Sequence, residues 1–256
     1  MDVKGRGVLV TGGAFGIGAA VVRRLSMAGA RVAIIDRDKD AARRIADEVA
    51  GLALPGDVSD PDIMPMFTSI VEERFGRLDL VFLNADGTGG QSGIEELDVA
   101  NYRRVAGVNM DHVVFGTCAA IPALRRAGGG TVIATASLAG LMPLAMDPIY
   151  TMTKHAVVGY VRSAGEAVAG EGIRICAVCP GFADTPLIAA QSDQFGDFPL
   201  LTSDDVADAV EAILDRGNSG EAWYVQPGLE PAPYGFRSVP GPKGAPRPPA
   251  LDGLVP

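Results

Sequence analysis

The stretch Val8-Leu9-Val10-Thr11-Gly12-Gly13-Ala14-Phe15-Gly16-Ile17-Gly18 decides how the rest of the chain is read. Its three leading apolar residues predict a strand buried on both faces, and the residues after Gly18 carry Val21, Val22, Leu25 and Ala28 at helical spacing. Glycines between a strand and a helix permit a tight turn and let a phosphate group approach the backbone. The helix then opens with unpaired N–H groups and a positive dipole end, which suits a pyrophosphate.

The same alternation continues outward. Leu52-Ala53-Leu54, Val32-Ala33-Ile34-Ile35, Leu80-Val81-Phe82-Leu83, Thr131-Val132-Ile133-Ala134, Ile175-Cys176-Ala177-Val178 and Trp223-Tyr224-Val225 read as further strands. A helical segment between them places Ile63, Phe67, Ile70 and Val71 on one face. Continuous apolar strands joined by helices predict an α/β fold, a doubly wound parallel sheet of Rossmann type with its ligand at the carboxyl ends of the strands. The predicted organisation is one Rossmann-type domain over 1–226 and a proline-rich C-terminal arm over 227–256, which holds half of the 18 prolines. Trp223, Tyr234 and Phe236 are bulky anchors near that arm, which favours an ordered, extended segment over a solvated tail.

Composition narrows the partners. The 256 residues are 48% hydrophobic and carry a net charge of −9, which disfavours nucleic acid and anionic lipid. No apolar run reaches the eighteen residues of a membrane span, and the charged start Met1–Arg6 leads straight into a strand. Three cysteines fit a reducing, cytoplasmic location. Cys176 and Cys179 stand three apart on a strand and so face opposite sides, poor geometry for a disulfide. Two histidines without a cysteine cluster imply no metal site. The predicted helices Val108–Leu124 and Thr151–Ala169 carry few charges, so each needs a second cover besides the sheet. A homo-oligomer, tetramer or dimer, supplies one.

Asp36 ends the second strand, eighteen residues after Gly18. A carboxylate there accepts hydrogen bonds from ribose hydroxyls and repels a 2′-phosphate, which selects NAD over NADP; Arg37 beside it points the other way. Tyr150 and Lys154 lie four apart on one helical face, thirteen residues after Ser137, which follows the fifth strand. A lysine ammonium favours the phenolate, so the tyrosine can exchange a proton with an alcohol while the serine hydrogen-bonds the substrate oxygen.

These residues together resemble the short-chain dehydrogenase/reductase family, from residue 8 to about 226. The glycine pattern Thr-Gly-x-x-x-Gly-x-Gly matches through Gly12, Gly16 and Gly18, with Phe15 and Ile17 within the turn. The resemblance implies that Asp57-Val58 contact the adenine and that Asn84-Ala85 form the core of an Asn-Asn-Ala-Gly motif. It also implies that Pro180-Gly181 and Thr185 hold the nicotinamide side, with Thr185 on the carboxamide. Asn109, Ser137, Tyr150 and Lys154 match the catalytic tetrad, Lys154 also holding the nicotinamide ribose and Asn109 supporting a water chain to it. The chain departs from the motif at Asp86, where the family has glycine. Either the loop shifts to use Gly87, or Asp86 makes a polar contact of its own.

The expected activity is hydride transfer between NAD and a small secondary alcohol or ketone. The apolar, methionine-containing segment Leu138–Ile149 favours a hydrophobic or alicyclic substrate, and residues 187–200 occupy the lid position. The alternative is a non-catalytic NAD-binding regulator or scaffold, against which the intact tetrad argues. A lyase or epimerase using NAD transiently would carry a larger C-terminal substrate domain.

Overall fold

A computed structural model describes residues 2–89, 95, 97–238 and 243, apart from the side chains of residues 190–192. Strands and helices alternate from the start. They are β1 (Gly7–Thr11), α1 (Gly16–Met27), β2 (Arg31–Asp36), α2 (Lys39–Val49), β3 (Leu52–Pro55), α3 (Ile63–Phe75) and β4 (Leu80–Leu83). There follow α4 (Val99–Ala106), α5 (His112–Arg126), β5 (Gly130–Thr135), α6 (Pro148–Ala167), β6 (Ile173–Pro180), α7 (Ser203–Arg216), β7 (Ala222–Val225) and β8 (Ala232–Pro233).

Among the described residues these strands form one eight-stranded sheet in the order β3-β2-β1-β4-β5-β6-β7-β8. Every pairing is parallel except β7 with β8. The seven strands predicted from apolar runs are all present, and the doubly wound Rossmann-type fold is that expected. Val8 pairs with Val32 on one side and Leu80 on the other, so the chain leaves β1 in one direction and returns beyond it in the other. This reversal opens a crevice at the carboxyl ends of β1 and β4.

Side-chain alternation along the strands divides the core into two layers. Val8, Val10, Ile34, Phe82, Cys176 and Val178 face α1, α2 and α7. Leu9, Ile35, Val81, Ala134, Ala177 and Cys179 face α3, α5 and α6. Cys176 and Cys179 therefore lie on opposite faces as free thiols, and burial pushes them up to about 11 and about 12.

Three features differ from the sequence reading. The helix expected from Val108 begins earlier: α4 and α5 are joined by a π-helical turn, Gly107–Asp111, and Asn109 sits within it. Helix α6 starts at Pro148, with the Asp147 side chain capping the Tyr150 N–H, rather than at Thr151. The start of the C-terminal segment is a strand: Trp223 pairs with Pro233, and the Tyr234 N–H donates to the Ala222 carbonyl at 2.7 Å. Tyr234 and Phe236 pack edge to face at 5.0 Å, and the Arg162 guanidinium lies 3.8 Å from the Phe236 ring centre. The expected arm beyond Ser238 falls outside the described residues, Lys243 excepted.

Candidate active site

The turn after β1 requires its glycines. Gly12 and Gly16 have φ of +60° and +48°, a left-handed backbone that side chains disfavour. A β-carbon on Gly12 would lie 2.9 Å from the Ala85 Cα, and one on Gly16 would lie 3.1 Å from Thr185 Cγ2. A β-carbon on Gly18 would run into the carbonyl oxygen of Gly12. Close contact between α1, the turn and two further loops is thus built on the absence of side chains. The first N–H groups of α1 receive no side-chain cap from Phe15, which leaves them available to an anion.

Asn84 locks this turn to the sheet. Its Nδ2 donates to the carbonyls of Thr11 and Gly12, both at 3.3 Å, and its Oδ1 accepts from Thr135 Oγ1 at 3.1 Å. Thr11 Oγ1 accepts from the N–H groups of Asn84 and Ala85 and donates to His112 Nε2 at 3.0 Å. His112 Nδ1 donates to the Val108 carbonyl, and burial lowers the ring to about 4, so it is a neutral structural histidine.

A cleft of about 690 Å³ runs from this turn across the carboxyl ends of the strands. Gly12, Phe15, Gly16, Ile17, Asp36, Asp57, Val58, Asn84, Ala85 and Thr185 line it, together with Asp86 and Gly87. Gly18, Pro180 and Gly181 are not among the residues that line it. Asp36 is held by two backbone donors, Ala14 at 3.2 Å and Asp38 at 3.0 Å. Ser59 donates both its N–H and its hydroxyl to Asp57, which keeps that carboxyl below its ordinary range. The glycine turn, the uncapped helix start and the carboxylate at the far end fit a dinucleotide.

The remaining candidates converge beyond the near end. Ser137 Oγ accepts from the Ala139 N–H at 3.1 Å and donates to the Pro180 carbonyl at 3.4 Å, and its hydroxyl acts on the Tyr150 phenol, favouring the ionised form. Lys154 is fully buried, and its Nζ donates to the Thr135 carbonyl at 2.9 Å. Asn109, also buried, brackets the backbone of Gly87. Its Oδ1 accepts from the Gly87 N–H at 2.9 Å, and its Nδ2 donates to the Gly87 carbonyl at 2.8 Å and to Thr153 Oγ1 at 3.2 Å.

Asp86 joins the two halves. Of the two alternatives for this loop, the polar contact is the one seen: Asp86 makes contacts of its own. Its Oδ2 accepts from the Tyr150 hydroxyl at 3.1 Å and pairs with Lys154 Nζ at 3.0 Å, while its Oδ1 accepts from the Gly87 N–H at 2.8 Å. Burial raises the Asp86 carboxyl despite Lys154. Burial, then the Asp86 charge, push the Tyr150 phenol well above its ordinary value, opposed in part by Ser137. The expected stabilisation of phenolate by Lys154 is therefore offset in the protein alone.

Residues 182–198 carry a feature missed in the sequence. Phe182, Phe195 and Phe198 form an aromatic cluster, with ring centres 4.8 to 6.4 Å apart. The three phenylalanines are visible in the sequence, but nothing in their spacing joins residue 182 to residues thirteen and more beyond it.

The model of the family described as short chain dehydrogenase matches residues 6–195. The chain belongs to the short-chain dehydrogenase family. Cyclohexanol dehydrogenase of Acinetobacter sp. (strain SE19) is 36% identical over 186 residues, covering 71% of this chain and 74% of that protein. Among solved structures, 3-ketoacyl-(acyl-carrier-protein) reductase from Brucella melitensis, complexed with NADH, superposes with a TM-score of 0.80 at 29% identity. That match covers 88% of this chain and 98% of the other. A short chain dehydrogenase from Burkholderia cenocepacia in complex with NADP matches with a TM-score of 0.79 at 25% identity, over 88% and 98% of the two chains. Membership makes the chain an oxidoreductase that uses a nicotinamide cofactor and acts on a small molecule. Among the described residues no helix is long and apolar enough to cross a membrane, and no group of three metal-ligating side chains occurs.

Proposed function

We propose that the protein is an NAD-dependent dehydrogenase of a compact, apolar or alicyclic secondary alcohol, or equally a reductase of the matching ketone. The observation that carries the reading is the meeting of Ser137, Tyr150 and Lys154 beside a dinucleotide-shaped cleft whose far end is a carboxylate, Asp36.

The residues that would hold the cofactor follow the cleft. The glycine turn from Gly12 to Gly18, with Phe15 and Ile17, faces the pyrophosphate, and Asp36 the adenosine ribose. Asp57 and Val58 meet the adenine, Asn84 and Ala85 support the middle, and Pro180, Gly181 and Thr185 hold the nicotinamide side. When bound, the cofactor supplies the hydride acceptor or donor. The chain does the rest. Ser137 hydrogen-bonds the substrate oxygen as charge develops there. Tyr150 takes the hydroxyl proton in oxidation or returns it in reduction. Lys154 orients the nicotinamide ribose and tunes the phenol. Asn109 fixes the loop that carries Asp86, and through Thr153 it also touches α6.

The preference for NAD rests on Asp36, and a cytoplasmic location on the cysteine content. Leu138–Ile149 and the phenylalanine cluster give the substrate end an apolar character, and the similarity to a cyclohexanol dehydrogenase supports an alicyclic alcohol. The test is a turnover screen of NAD⁺ and NADP⁺ against cyclic, steroidal and short-chain secondary alcohols. Turnover of cyclic alcohols with NAD⁺ is expected, and activity confined to NADP⁺ or to charged substrates would overturn the reading.

A further inference from the structure

We propose that Asp86 is a positioning residue for the acid–base pair: its carboxylate, wedged between Tyr150 and Lys154, balances the buried ammonium and keeps the phenol in its protonated, proton-donating form. The inference rests on the assignment of Tyr150 as the acid/base.

The geometry is specific. One carboxylate oxygen, Oδ2, takes both the phenolic hydroxyl and the ammonium, at 3.1 and 3.0 Å. The other is fixed by the Gly87 N–H, and Gly87 is in turn gripped by Asn109. The carboxylate is thus aimed by the backbone, and its side chain retains only 14% of its exposure. Burial raises the Asp86 carboxyl, but the Lys154 ammonium 3.0 Å away favours its ionised form; an ionised carboxylate can only accept, so the phenol that donates to it must keep its proton. Ionising Tyr150 would set two anionic oxygens 3.1 Å apart, with one ammonium paired to the carboxylate to offset them.

The neighbours do not reverse this balance. Asp147, at the start of α6, adds negative charge on the Tyr150 side. His112 on α5 and Cys179 on β6 face Lys154, and burial keeps both neutral at ordinary pH. Arg104 on α4 donates to the Thr88 carbonyl, on the outer side of the loop. Among the described residues Lys154 is the cation paired with Asp86. The family's motif has a glycine here, so the carboxylate is a departure from that motif. In the cofactor-free protein it favours the proton-bearing form of Tyr150 over the phenolate.

The test uses the cofactor-free protein. An ultraviolet difference titration of tyrosinate, with Tyr150→Phe subtracted, isolates Tyr150 among the five tyrosines. In the wild type, Tyr150 should ionise above the ordinary value of about 10. Asp86→Asn keeps the shape and removes the charge, and Asp86→Gly removes the side chain. Both should lower the Tyr150 midpoint by on the order of one unit or more, and the pH profile of alcohol oxidation should move down with it. The same midpoint in all three proteins, or a rise in either variant, would overturn the proposal. The titration needs no substrate, so its failure leaves the assigned activity standing, whereas undiminished turnover by Tyr150→Phe would remove that activity's acid/base instead.

Discussion

Replacing Asp36 by asparagine should change which nicotinamide cofactor the protein prefers, while barely disturbing its fold. Each carboxylate oxygen of Asp36 already accepts one backbone N–H, from Ala14 or Asp38, so the side chain is held at the cleft wall. Each oxygen keeps a further lone pair for a ribose hydroxyl. Asparagine preserves one acceptor and the shape, and it removes the charge that a 2′-phosphate would meet. Two unit charges 4 Å apart repel by about 1 kcal/mol in water and about 4 kcal/mol at the dielectric of a protein surface. Asp36 is half-buried, so an intermediate value of about 2 kcal/mol applies, roughly thirty-fold in the ratio of dissociation constants. Fluorescence titrations with NADH and NADPH measure that ratio directly. The wild type should favour NADH, and Asp36→Asn should erase most of the preference, chiefly by tighter NADPH binding. A wild type that binds NADPH more tightly, or an unchanged ratio in the variant, would refute the reasoning and point to Arg37 as the phosphate contact.

Further outcomes follow from other parts of the structure. Asp79 is buried against Arg77, Arg6 and the Gly7 N–H; burial raises its carboxyl, but these partners outweigh it and the net shift is downward. Its stabilisation is present above the unfolded value near 3.8 and lost as pH falls through the lowered one. Asp79→Asn should therefore cost about 2 kcal/mol at neutral pH in chemical denaturation, and the gap should close in acid. Truncation after Pro227, the start of the proposed arm, removes β8 and the Arg162–Phe236 contact. It should lower the melting temperature by a few degrees and alter Trp223 fluorescence, and an unchanged melt would make the arm a solvated appendage. Helix α5 exposes Cys118 and Pro122, and α6 exposes Met152, on faces that a second subunit would cover. Light scattering at micromolar concentration should show a dimer or tetramer, and a monomer would refute that assignment.

Much of the fold was legible because parallel strands buried on both faces appear as uninterrupted apolar runs, as in Val32–Ile35 and Leu80–Leu83. Strand β8 was not, since two residues, Ala232 and Pro233, carry no periodicity and depend on the edge of β7 for their conformation. The π-helical turn was hidden for a related reason: its residues continue a helical pattern, and nothing in their spacing marks Gly107–Asp111 as wider than an ordinary helical turn. Within the site, the spacings of Ser137, Tyr150 and Lys154 announced themselves through helix and strand geometry. The destination of Asp86 did not. It depends on Asn109, twenty-two residues away, gripping Gly87 rather than the residue before it. Asn84 shows the same limit: its type was noticed, but its hydrogen bonds to Thr11, Gly12 and Thr135 come from two separate strand ends, those of β1 and β5.

The central claim is that Tyr150 exchanges the substrate proton in a hydride-transfer reaction. The most direct measurement is the rate of NADH formation from NAD⁺ and the best cyclic secondary alcohol, wild type against Tyr150→Phe, with NADH affinity determined in parallel. Losing the hydroxyl removes the proton acceptor and leaves the cleft from Gly12 to Thr185 intact. The account predicts turnover reduced by several orders of magnitude with NADH binding nearly unchanged. Turnover in the variant within a few-fold of wild type would contradict it.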